Sequence, residues 1–194
     1  MSEEYKCCKD LFVAYDKKHL ECFELLLNTN DIEENNYFGQ TILNFICQYG
    51  CKIEYIKLLL EHKADVNTKD NYTFTPLIAI IKFNNTECLK LLLENKADIN
   101  AKTKYGNTAL IIAVRNNKYD HVKLLLEHNA DPTIVNSYGK TTLNYAKENS
   151  NDEIVKLLEQ YIYNNIYNTM MEIFDESSTG MLDDLTELAM QYYI

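Results

Sequence analysis

Four histidines and six cysteines are the residues of this 194-residue chain best equipped for chemistry, and neither set converges. His62 and His128 stand two periods of the repeat described below apart, roughly 20 Å at about 10 Å per helix layer, too far to share a metal ion. Cys47 and Cys51 are four residues apart near the end of one predicted helix, with Cys7 and Cys8 distant from them, so no four-ligand zinc spacing forms. No glycine-rich phosphate loop or nucleophile elbow occurs. The expectation is a chain that is not an enzyme and binds no cofactor or metal. The cysteines all fall in the first half, and Cys22 and Cys88 occupy equivalent repeat positions. They read as small buried hydrophobes in a reducing compartment, in preference to a disulfide framework.

The net charge of −10 argues against a generic nucleic-acid binder, since a basic stripe is missing. Met1–Asp10 is polar and charged where a secretory signal would be apolar, and the longest aliphatic run, Ala109–Val114, is far too short to span a bilayer. A cytoplasmic location away from any membrane is expected.

The elements that position every side chain are set by a repeat. Leu-Leu-Leu occurs at Leu25–Leu27, Leu58–Leu60, Leu91–Leu93 and Leu124–Leu126, with a shortened copy at Leu157–Leu158, each starting 33 residues after the last. An acid stands four places before each copy: Glu21, Glu54, Glu87, Asp120 and Glu153. A threonine follows at Thr41, Thr75, Thr108 and Thr141, preceded by an aromatic and, in three copies, a turn glycine. Thr as a helix N-cap, with Pro76 at the first helical position, predicts a helix start. A short helix, a polar break such as Asn116-Asn117, and a second helix carrying the leucines make one unit. Helices of this length are marginal alone, so each pair must be covered by its neighbour. The leucine triplets are expected to be core.

Thr-Pro-Leu, the Leu-Leu-Leu-Glu helix, Ala-Asp-Val-Asn (Ala64–Asn67) and the period resemble the ankyrin repeat family. The resemblance implies an all-α solenoid of stacked helix pairs with β-hairpin loops, in five repeats at about 4–34, 35–67, 68–100, 101–133 and 134–160. The first copy begins Lys9-Asp10-Leu11, as a terminal cap would. Thr73 replaces the turn glycine, which predicts local strain or a different shape there.

In that family the hairpin tips and the exposed side of the first helices hold partners. Carried over, this points to Phe38, Tyr72, Phe74, Lys104, Tyr105, Asn107, Tyr138 and Lys140 on the tips, and to Tyr49, Lys82, Phe83, Arg115 and Asn116 on the helices. Phe38, Tyr72, Tyr105 and Tyr138 then form a row of aromatics, either as a contact surface or packed between hairpins in a chain that holds 15 tyrosines. The function implied is stoichiometric: a monomeric adaptor, scaffold or inhibitor that binds another protein. The alternatives are a host-directed mimic of an inhibitor-of-κB-like regulator, and, from another class, an enzyme or metal-binding protein.

After Leu158 the repeat stops. Residues 161–194 are expected to form an acidic, amphipathic, non-repeat helical segment. From residue 157 onward there are seven acids and no Lys or Arg. One apolar run includes Tyr161, Ile162, Ile166, Met170 and Phe174, and a second includes Met181, Leu182, Leu185 and Leu188, with Asp175–Gly180 as the turn between them. The segment reads as a cap on the fifth repeat, as a partner-binding element, or as a tail whose acids fold back near Lys82, Lys104, Arg115 and Lys140 and occlude the groove.

Overall fold

The computed structural model describes residues 10–29 and 31–173. The expectations for Cys7 and Cys8, and for the run from Phe174 through Asp175–Gly180 to Met181, Leu185 and Leu188, lie outside the described residues. Those residues hold ten α-helices and no strand. They pair as α1 (Leu11–Asp16) with α2 (Leu20–Leu27), α3 (Ile42–Tyr49) with α4 (Ile53–Glu61), α5 (Pro76–Ile80) with α6 (Thr86–Glu94), α7 (Ala109–Arg115) with α8 (Tyr119–Glu127), and α9 (Thr142–Glu148) with α10 (Asp152–Ile173). The chain divides into two compact units, Met1–Lys104 and Tyr105–Ile194. In the first, α1, α3 and α5 pack in sequence, as do α2, α4 and α6; in the second, α7 packs on α9 and α8 on α10.

The helix starts follow from the threonines. Thr41, Thr75, Thr108 and Thr141 have extended backbones, and each hydroxyl accepts a bond from the backbone N–H three residues on. One otherwise orphaned donor of the first turn is thereby satisfied. Asp10 does the same for α1, accepting from Val13 N at 2.9 Å, so the first copy opens by the same device with another residue type.

Three consecutive leucines sweep about 200° of a helix, so they cannot all face one neighbour. Leu59, Leu92 and Leu125, the central members, are fully buried, whereas Leu25 is 53% exposed. The expectation of wholly buried triplets is therefore corrected: the centre is core and most flanking leucines are half-buried. In the first copy Phe23 and Leu27 take the buried places.

The expected β-hairpins are tight turns without strand residues among those described. At the first tip Gly39 N–H bonds Asn36 O at 2.9 Å and Asn36 N–H bonds Gln40 O at 3.0 Å; Asp70–Phe74 and Asn136–Lys140 repeat the pattern. A four-residue turn whose last residue is left-handed closes each. The side-chain oxygen of Asn36, Asp70 or Asn136 accepts from the backbone N–H two and four residues on, locking the turn from inside. The left-handed residue is Gly39 (φ 70°), Gly106 (φ 73°) and Gly139 (φ 72°), and Thr73 holds the same conformation (φ 64°). The tip at Thr73 thus keeps the common shape and carries the strain that a β-branched side chain meets there. Within each unit consecutive tips are joined through backbone: Asn71 N–H to Phe38 O at 3.1 Å, and Ser137 N–H to Tyr105 O at 3.0 Å.

The helix α10 runs unbroken through residue 160, where the division between repeats and C-terminal segment was expected. Neither Gly nor Pro interrupts residues 152–173, and Ile154, Leu158 and Ile162, spaced by four, lie on one buried stripe.

Replacing Thr73 by Gly is expected to stabilise the chain by about 1 kcal/mol, read as a higher urea midpoint at unchanged slope; an unchanged or lower midpoint would show that the site is unstrained. Gly106→Ala is expected to destabilise by about 1–3 kcal/mol, because its Cβ would stand 3.0 Å from Ser137 N and 3.1 Å from Asn136 Cα. Retention of the wild-type midpoint would contradict that close approach.

Candidate functional site

In the first unit the tip side chains project outward. Phe38 and Tyr72 are about half exposed and Tyr37 is 93% exposed. Tyr37 and Phe38 meet edge to face at 5.5 Å, and the Lys104 ammonium sits 5.5 Å from the Tyr72 ring centre. Phe74 is half-buried, its backbone taken up in the turn closed by Asp70. On the helices, exposed Tyr49 stacks obliquely on Phe45 at 4.8 Å, and Lys82 lies over the half-buried ring of Phe83 at 5.8 Å.

In the second unit Tyr105 and Tyr138 stack at 6.2 Å with their planes 25° apart, and both remain exposed. Beside them the Tyr145 ring carries two cations, Arg115 at 5.3 Å and Lys140 at 5.2 Å. Lys140 also grips Glu148 at 2.7 and 2.9 Å, and that carboxylate raises the ammonium above its ordinary pKa. Asn116 caps α7 and is exposed.

One expected contact residue is withdrawn. Asn107 is buried, and its side-chain oxygen accepts from Asn136 Nδ2 at 2.7 Å. Gln40, at the same place before its capping threonine, is also buried and bonds Gln48, whereas Phe74 and Lys140 at that place are only half-buried. Tyr145 and Asn136 went unread in the sequence. Asn136 holds Tyr138 N–H and Lys140 N–H through its oxygen, and Asn107 and Tyr145 through its nitrogen. The available signal was an Asn or Asp recurring five residues before the capping threonine at Asn36, Asp70 and Asn136.

The groups able to do chemistry are engaged in structure. His62 and His128 each turn Nδ1 back to a carbonyl of their own helix, Leu58 at 2.8 Å and Leu124 at 2.9 Å. Cys22, Cys47, Cys51 and Cys88 are free thiols and buried. Burial pushes the Cys47 thiol up, and the hydrogen bond with Cys88, then burial, push Cys51 up, so both keep their protons. Tyr15, beside them, is raised to about 12, mainly by burial. Among the described residues no His, Cys, Asp and Glu group could hold a metal ion, and no helix is long and apolar enough to cross a membrane. Asn67 ties loops together, accepting from Asp98 N at 2.7 Å and donating to Lys96 O at 3.3 Å.

A family model of ankyrin repeats in three copies matches residues 11–103 and again 96–168. An ankyrin repeat protein of fowlpox virus (strain NVSL) is 37% identical over 64 residues, which is 33% of this chain and 15% of that protein. The chain thus matches only a small part of the viral protein's length. The capped helix pairs, the locked turns and the match over most of the chain agree: this chain belongs to the ankyrin repeat family.

Proposed function

We propose that the chain is a non-enzymatic protein-binding module, an adaptor or scaffold that holds a segment of another protein against its turn tips and the adjoining helix ends. The observation that carries this reading is the exposure of large aromatic side chains on rigid backbone: Phe38, Tyr72, Tyr105 and Tyr138 are each 47–62% exposed. Phe38, Tyr72 and Tyr138 stand on turns closed by side-chain and backbone hydrogen bonds, and Tyr105 is tied through its carbonyl to the next tip at Ser137 N–H. Holding such rings in water forgoes the stabilisation of burial, while fixing them beforehand lowers the entropy lost on contact. Family membership supports the reading, because the repeat is an interaction module.

An affinity capture with mass spectrometry, run beside a Tyr72/Tyr105/Tyr138→Ala variant, tests it. Each exposed tyrosine that acts as a hot spot contributes about 2 kcal/mol, so the variant is expected to lose its specific protein band while its circular dichroism stays as in the wild type. An identical set of captured proteins in both samples would remove the tips as the binding surface.

A further inference from the structure

The chain has 19 basic residues, and one of them, Arg115, is arginine. It stands in the last turn of α7, exposed, with its guanidinium over the face of Tyr145. The neighbouring cation, Lys140, is neutralised by Glu148. Among the described residues no carboxylate lies within ion-pair distance of Arg115. The ring beneath it is held from its far end, since Tyr145 Oη accepts from Asn136 Nδ2 at 3.0 Å, and the same Asn136 fixes the backbone of Tyr138. One buried side chain, Asn136, therefore locks the guanidinium's platform and the backbone of the aromatic stack's Tyr138 into a single surface of the second unit.

Lysine and arginine differ where planar, two-point recognition matters: the guanidinium offers a rigid fork that matches a carboxylate, and it stacks on aromatic faces. In a chain that uses lysine at every other basic position, the fork rests on Tyr145, which Asn136 joins to the backbone of Tyr138 in the stacked Tyr105–Tyr138 pair. Resting on the protein-binding reading above, we propose that this surface takes an extended acidic segment of its partner, with an Asp or Glu carboxylate on Arg115 and a bulky apolar side chain on the Tyr105–Tyr138 stack. A single-stranded nucleic acid also suits an aromatic platform, but it needs several available cations to neutralise successive phosphates, and the neighbouring Lys140 is already held by Glu148.

The test uses the full chain as bait for a displayed library of random twelve-residue peptides. Selected sequences are resynthesised and titrated by fluorescence anisotropy against wild type, R115K and R115A, with a twelve-residue oligothymidylate as a second probe. Wild type is expected to enrich peptides that pair an acid with an aromatic or branched apolar residue. Roughly 30-fold weaker binding is expected for R115A and roughly fivefold weaker for R115K, and replacing the peptide's acid by its amide should abolish the difference between wild type and R115A. R115K retains charge and length, so its loss reports the fork and not the fold. Enriched peptides without an acid, or equal binding by all three proteins, would overturn the carboxylate assignment and leave the protein-binding reading standing. Enrichment of no peptide would overturn both, and oligothymidylate binding lost in R115A would assign the surface to nucleic acid instead.

Discussion

Each helix pair is too short to hide its own apolar side. The second helices α4, α6 and α8 have nine residues each, below the length at which a helix holds together alone in water. Each spends its central leucine on the interior: Leu59, Leu92 and Leu125 have no exposed surface. Burial of one such side chain contributes about 1.5–3 kcal/mol, so the stability of a pair depends on neighbours that complete its enclosure. Within each unit the packing is correspondingly local, first helix against first helix and second against second. The aromatic cluster of Tyr15, Phe23, Phe45 and Tyr55, linked edge to face at 4.8–6.1 Å, performs this service where the first pair meets the second.

Helices committed to the interior leave exposed aromatic side chains to the turns, and a turn can present side chains only if its backbone is satisfied without a sheet. The Asn or Asp at the start of the tips carrying Phe38, Tyr72 and Tyr138 solves this by accepting two backbone N–H groups. With the polar groups paired internally, the intervening aromatic is free to face outward. Polarity is thus buried at the base of the tip and apolar surface exposed at its end, the reverse of the usual arrangement.

The interior chemistry is quiet for the same reason that the surface is not. Cys47, Cys51 and Cys88 sit close enough to influence one another: burial holds Cys47 neutral, and the hydrogen bond with Cys88, then burial, does so for Cys51, while that same bond draws Cys88 below its ordinary pKa. All three are buried and pack as small side chains in the interior of the first unit.

Much of this was legible in one dimension because the period is strict. Repeated Thr caps, leucine triplets and turn glycines announce helix pairs whose boundaries are local properties of the chain, governed by hydrogen bonds over three to five residues. Whether Phe38, Tyr72, Tyr105 and Tyr138 face outward or pack between the tips was open in the sequence, and the structure leaves each about half exposed. Which leucine of a triplet is buried, the inward turn of Asn107, and the continuation of α10 across residue 160 were decided only in three dimensions. So was the meeting of Arg115, Lys140 and Tyr145 on one ring. These depend on where neighbouring repeats place their atoms, and a side chain's direction around a helix or turn is set by those contacts, not by its own flanking residues.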